Sequence, residues 1–181
     1  MLEVEAKAHL EDPQRAVQRL LEMGAREAYS TVQRDTYYRH PSRDFAETDE
    51  ALRIREEEGR ATLTYKGPKV DAETKSREEL EVPVVDLRSL GALLLRLGFE
   101  PVAVVEKHRR GFRLGDLEVD LDEVKGLGTF LEVEAAAGEG LEEGRAKVLG
   151  LLRTLGLERL ERRSYLELLL QRGSAPPSEN K

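Results

Sequence analysis

Glu3-Val4-Glu5-Ala6-Lys7 decides the reading of this chain: two acids and a base alternate with small apolar residues, as on a β-strand. Strand side chains point to opposite faces in turn, so Glu3, Glu5 and Lys7 share one face and Val4 and Ala6 the other. The phrase recurs. Glu79-Leu80-Glu81 and Glu132-Val133-Glu134 repeat the Glu-x-Glu pattern. Each copy leads into an amphipathic segment that closes on a Leu-rich turn and a glycine, at Gly24, Gly98 and Gly156. A sheet that lines up carboxylates strand after strand is built for solvent or for metal.

Working outward, residues 2–10 read as a strand, and Asp12 with Pro13 starts a helix that Gly24 ends. Residues 27–39 form a second strand, with Gln33, Asp35 and Tyr37 on one face. Residues 52–55 and 61–66 make a hairpin turning near Gly59. The loop 67–76 is long and charged. Residues 77–85 form a strand, and Asp86 caps a helix through Leu97. A second hairpin, 102–113 and 116–124, turns at Gly115, and Gly126-Leu127-Gly128 leads into a strand over 129–135. Helices are expected over 141–155, weakened by Gly144 and Gly150, and over 158–171. The tail 173–181, with two prolines and no apolar anchor, is expected to be disordered. The chain reads as two related halves, each a strand, a helix and then antiparallel strands, which is an α+β pattern.

Composition narrows the chemistry. A chain of 181 residues suits one domain with a real core, here placed at 1–172. Net charge is −7 without a basic run, which argues against nucleic acid as a partner. No cysteine is present, so thiolate metal sites and cysteine nucleophiles are excluded, and His9, His40 and His108 are too scattered for a histidine-ligated metal. These histidines are read as surface residues. No apolar stretch is long enough to cross a membrane as a helix, and no signal-like segment is evident, so the cytoplasm is the default address.

Strand parity then assembles one charged face. Lys7, Arg53, Arg55, Lys66, Arg77, Lys107, Arg109 and Arg113 share it with Glu3, Glu5, Glu79, Glu81, Glu118, Asp120, Asp122, Glu132 and Glu134. Val4, Ile54, Leu63, Leu80, Val119, Leu131 and Val133 lie opposite. One reading is an open antiparallel sheet with its charges in water. The other is a rolled sheet whose charged face lines a cavity; closure removes exposed edges, and a metal-bound polyanion balances the buried charge. Parity alone leaves both open.

The ordered motifs resemble the CYTH superfamily, the triphosphate tunnel metalloenzymes. The resemblance rests on Glu3 to Lys7, Gln33 to Tyr38, Ala51 to Arg55, Leu63 to Lys69, Ser76 to Glu79, Glu106 to Arg109, Val119 to Val124 and Gly126 to Glu134, and it spans residues 2 to about 170. It implies an eight-stranded antiparallel β-barrel tunnel with helices packed outside. The blocks at 35–38, 63–69 and 119–134 are most similar to the class IV adenylyl cyclase group, which converts ATP to cyclic AMP and pyrophosphate. An inorganic or thiamine triphosphatase is the alternative enzyme, and a non-catalytic nucleotide- or polyphosphate-binding module the alternative without turnover.

By the same resemblance Glu3, Glu5, Asp120, Glu132 and Glu134 are expected to hold Mg²⁺ or Mn²⁺. Lys7, Arg53, Arg55, Lys66, Lys107 and Arg109 are expected to grip ATP or another triphosphate, with Lys66, Arg109 and Asp120 at the reacting centre. Asp122 is read as a further ligand or a structural salt bridge. Arg77, Glu79 and Glu81 are read as mutually paired scaffolding, Lys69 as a solvated or gating residue, and Tyr37 as packing at the barrel mouth. The partners expected are a triphosphate and, with the oligomeric state left open, a second copy in a homodimer, with neither nucleic acid nor membrane.

Overall fold

The computed structural model describes residues 2–69, 77–135 and 140–173; of Leu2, Glu3 and Leu141 it describes the backbone alone. Eight strands, β1 (Leu2–His9), β2 (Arg26–Arg39), β3 (Ala51–Glu57), β4 (Arg60–Lys66), β5 (Arg77–Val84), β6 (Glu100–Leu114), β7 (Leu117–Val124) and β8 (Gly128–Ala135), pair antiparallel throughout. Their order around the sheet is β1-β5-β4-β3-β2-β6-β7-β8, and β8 returns to β1 to close a barrel. The β1–β5 seam is thin, Leu2 opposite Glu78 and Glu3 opposite Arg77, whereas β1 and β8 pair from Val4↔Ala135 to His9↔Phe130. The rolled sheet is therefore the one formed, and the charged face lies inside.

Two helices cover one flank. In α1 (Pro13–Glu22) Asp12 accepts from the Arg15 N–H, and Ala16 and Leu20 are buried. Helix α3 (Leu141–Thr154) buries Val148, Leu149, Leu151 and Leu152. Both pack on the outward residues of β1, β7 and β8, among them Val4, Ala6, Ala8, Val119, Leu121, Leu131 and Val133. Gly144 lets α3 approach: a Cβ there would sit 3.1 Å from the Ala135 side chain and 3.4 Å from Val4. The glycine that costs helix propensity gains contact with the barrel. Helix α2 (Leu87–Arg96) starts at Asp86, which accepts from the Ser89 N–H.

The last helix begins later than 158. Helix α4 spans Tyr165–Gly173, while Leu160 bridges Ala8 of β1. Ser164 and Glu167 set the start as a reciprocal cap: Ser164 Oγ accepts from the Glu167 N–H, and Glu167 Oε2 accepts from the Ser164 N–H at 2.6 Å. This Ser-x-x-Glu signal is present in the sequence and outranks the apolar spacing that suggested an earlier start.

Helix α4 closes one end of the barrel. Tyr165 packs with the inward residues Tyr37, Val105, Val124 and Phe130, and Leu166, Leu168 and Leu169 join them from the same helix. Tyr37 is thus part of an apolar plug. The tail 174–181 and most of the 67–76 loop lie outside the described residues.

Candidate functional site

Register turns shared parity into contact. On β2, β3 and β6, Asp35 lies opposite Arg55 and Val105, and Tyr37 opposite Arg53. Asp35 accepts from Arg55 Nε and Nη2, both at 2.7 Å, and from Arg53 Nη1 at 3.2 Å. Burial works to raise the Asp35 carboxyl, but the two guanidiniums outweigh it and hold the group well below the usual carboxylate range.

A second cluster centres on Arg109. Its Nε and Nη2 donate to Asp122 at 2.6 and 2.5 Å, Nη2 also reaches Glu132 at 2.6 Å, and Nη1 lies 2.5 Å from Asp120. Lys107 adds a 2.8 Å bond to Asp122. Asp122 is fully buried, and Lys107 and Arg109 overcome its desolvation to keep it ionised. Asp120 moves the other way: burial raises its carboxyl, Arg109 opposes this, and the charges of Asp122 and Glu132 add to the rise. Burial and the Arg109 charge also push Lys107 down to about 8.

Lys7, from the opening motif, is buried at the same level of the bore, 4.0 Å from Glu132 and 3.8 Å above the Tyr165 ring. Lys66 pairs with Glu79, and burial with the nearby Arg53 charge lowers its pKa against the pull of Glu79 and Glu5. Glu5 lies opposite Glu134, which lies opposite Glu118; Asp120 lies opposite Glu132. The structure therefore brings Lys7, Arg53, Arg55, Lys66, Lys107 and Arg109 into one bore, with Asp120 and Glu132 bonded to Arg109. Glu5 and Glu134 occupy one strand pair on the same face. The Glu3 side chain lies outside the described residues, although its backbone sits at the seam.

Two readings are corrected. Arg77, Glu79 and Glu81 do not pair with one another: Arg77 reaches Asp49, Glu79 holds Lys66, and Glu81 accepts from Thr64. Lys69 is not solvated, because its ammonium and backbone N–H both donate to Asp49. Of the two readings given for Asp122, the structure shows the salt bridge, to Lys107 and Arg109. Asp35, which the site expectation omitted, organises the two β3 arginines. Its parity with Gln33 and Tyr37 was the available signal. Tyr165, which the site expectation also omitted, donates to Asp122, and nothing local in the sequence marks that contact. His108 faces outward to Ser30, as its parity requires.

The acids on the inner face supply only oxygen donors, the chemistry that Mg²⁺ or Mn²⁺ prefers. Among the described residues no three of them converge on one point as a preformed metal cluster. Asp120 and Glu132 instead share Arg109, and the raised Asp120 carboxyl marks a place where added positive charge is favoured. The donor set fits a hard divalent cation.

A separate outer cleft of about 1010 Å³, between α1 and the α3–α4 connection, mixes Arg15, Arg19 and Arg159 with Glu11 and Glu158. It shares none of the bore's groups. No described helix is long and apolar enough to cross a membrane.

A closed antiparallel barrel with acids and bases gathered in its bore is the tunnel architecture that the motif resemblance implies. The chain belongs to the CYTH family, whose domain matches residues 1–165. It is 38% identical over 172 residues to a Methanocaldococcus jannaschii protein provisionally named an adenylate cyclase, covering 93% of this chain and 98% of that one. It is 29% identical over 145 residues to the adenylate cyclase CyaB of Aeromonas hydrophila, covering 77% and 73%. A solved Pyrococcus horikoshii structure superposes with a TM-score of 0.87 at 42% identity, covering 94% of this chain and 99% of that one. The fold is shared with a Hippeastrum adenylyl cyclase-like protein described as having a dominant triphosphatase activity, at TM-score 0.66 and 21% identity over 99% of this chain and 100% of that one.

Proposed function

We propose that this protein is a metal-dependent enzyme acting on a triphosphate inside the barrel, and that its reaction is cyclisation of ATP to cyclic AMP and pyrophosphate. One observation carries the reading: Lys7, Arg53, Arg55, Lys66, Lys107 and Arg109, from four different strands, face one bore together with a ladder of acids. Keeping so many charges out of water does not repay its desolvation as a stability device. A chain that maintains them is equipped for a ligand of high charge.

In this reading Arg53 and Arg55, braced by Asp35, and Lys107 and Arg109, braced by Asp122, are aligned before substrate arrives. Such bracing spares the rearrangement that would otherwise oppose binding and reaction. Lys66 and Arg109 stabilise negative charge as pyrophosphate leaves the α-phosphorus. Asp120 and Glu132 would join Glu5 and Glu134, with Glu3, in holding Mg²⁺ or Mn²⁺. The cation would neutralise phosphate oxygens and polarise the attacking 3′-hydroxyl. Cyclisation is favoured by the names of the two curated relatives, adenylate cyclases. The second reading, hydrolysis of a triphosphate by water, is favoured by the activity described for the Hippeastrum protein. Both use the same cations and differ in which phosphorus meets a nucleophile.

Chromatographic product analysis with ATP and with tripolyphosphate, under Mg²⁺ and then Mn²⁺, decides between them. Cyclic AMP with pyrophosphate is the expected result. Orthophosphate from tripolyphosphate with no cyclic AMP at neutral to alkaline pH would replace cyclisation by hydrolysis.

A further inference from the structure

Strand β2 contributes a neutral stripe to the charged bore. From the rim inward its inner face carries Tyr29, Thr31 and Gln33, ahead of Asp35. The stripe starts at a bulge: Glu27 lies opposite Phe112 and bonds Arg110 on the outer face, whereas Tyr29, two residues on, lies opposite Gly111 on the inner face. Bulges re-aim side chains in this way. The Tyr29 ring lies flat over Gly111, where any Cβ would fall 2.3 Å from it. Its hydroxyl donates to Asp120 at 2.8 Å, and the residue remains 42% exposed. Deeper in, Thr31 and Gln33 are buried at 6% and 3% exposure. The Gln33 amide donates to Glu57, yet Gln33 Oε1 and Thr31 Oγ1 meet no hydrogen-bonding group of the described protein.

Buried polar atoms of this kind are costly unless a partner arrives. Their position says which part of a ligand that partner belongs to. Thr31 lies beside Arg109 and Gln33 beside Lys107, so they flank the cationic clusters without adding charge. At about 3.3 Å per residue, the stripe runs about 13 Å from Tyr29 to Gln33. An exposed aromatic ring followed by a hydroxyl and an amide suits an aromatic base followed by a hydroxylated sugar.

The geometry points to Tyr29, Thr31 and Gln33 as the residues that select a nucleoside triphosphate over an inorganic one: Tyr29 is a platform for the base, and Thr31 Oγ1 and Gln33 Oε1 bond the ribose hydroxyls. This assignment rests on the reading of the bore as a triphosphate site and deepens it. Thiamine triphosphate also carries aromatic rings, but its linker has no hydroxyl for Thr31 and Gln33.

The test is calorimetry with Mg²⁺ and three ligands that cannot turn over: ATP with methylene groups in place of both bridging oxygens, its 2′,3′-dideoxy form, and the equally bridged tripolyphosphate. Tyr29→Ala is expected to weaken the ATP analogue about tenfold, in line with base stacking on an aromatic side chain, and to leave the tripolyphosphate analogue within about twofold. Tyr29→Phe, which keeps the ring and loses the bond to Asp120, should retain ATP-analogue affinity. Thr31→Val should weaken the ATP analogue several-fold and the dideoxy form not at all. Equal weakening of all ligands by Tyr29→Ala, or unchanged affinity for the ATP analogue, would overturn the assignment while leaving the tunnel reading intact. A wild-type protein that binds none of the three would overturn both.

Discussion

The Tyr165 hydroxyl donates a 2.9 Å hydrogen bond to Asp122, joining the first turn of the last helix to a fully buried carboxylate on a strand 43 residues earlier. The same carboxylate holds Lys107 and Arg109. The helix that plugs the barrel is thereby tied to the cations of the bore, and the Tyr165 ring also lies beneath the Lys7 ammonium. Disturbing the plug should reach the site.

Tyr165→Phe removes one bond to an ionised group and is expected to cost about 1.5–3 kcal/mol. Tyr165→Ala also empties a packed position and should cost about 3–5 kcal/mol. Urea denaturation at pH 7 reads both. Equal stability of wild type and Tyr165→Ala would mean that α4 is not docked as described.

Glu5→Gln and Glu134→Gln should each fold normally and lose metal-dependent turnover. Removing an outer partner of a metal ligand already costs about 10- to 100-fold, so a lost ligand should cost at least about 100-fold. Rates at saturating Mg²⁺ and Mn²⁺ provide the check, and near wild-type activity in either variant would remove that residue from the metal set.

Arg55→Ala and Arg109→Ala should weaken a non-hydrolysable ATP analogue by about 10- to 100-fold, because charge-assisted bonds from desolvated guanidiniums are lost. The exposed Arg26 is the control. Titration calorimetry should find Arg26→Ala unchanged; equal losses in all three would argue against a dedicated bore.

Asp35 gives the fold an acid limit. Its folded pKa lies well below its ordinary value of 3.8, so its contribution is present above about pH 4 and is lost as pH falls toward the folded value. Asp35→Asn leaves Arg53 and Arg55 without their buried counter-charge and should cost about 3–5 kcal/mol at neutral pH. The gap to wild type should narrow in denaturation curves taken at pH 3.

Lys107 acts at the opposite end of the pH range. With its folded pKa near 8 and its ordinary value 10.5, the folded state releases this proton first, so stability gains from the group as pH rises between those values. Triphosphate affinity should fall over the same window as the ammonium discharges. Calorimetry at pH 7 and pH 9.5 should show that fall in wild type and a smaller one in Lys107→Arg, whose guanidinium stays charged.

The inward and outward sets were legible from the chain alone, because strand alternation is a local, period-two property that each segment carries whatever it pairs with. Val4, Val119, Leu131 and Val133 on one face, and Lys7, Arg53, Lys107 and Arg109 on the other, needed no knowledge of neighbours. Helix starts at Asp12 and Asp86 were equally local, since a cap bonds backbone three residues away. Pairing partners were not. Whether Arg109 meets Asp120, Asp122 and Glu132 depends on the register of β6, β7 and β8, and the exchange of Glu79 from Arg77 to Lys66 depends on that of β4 and β5. The bulge before Tyr29 breaks the alternation that parity assumes and turns Glu27 outward. Tyr165 reaches Asp122 only because the barrel closes and α4 seats in its end. Alternation is inherited from the backbone of each strand; contact across the bore is decided by register, closure and one helix folding back.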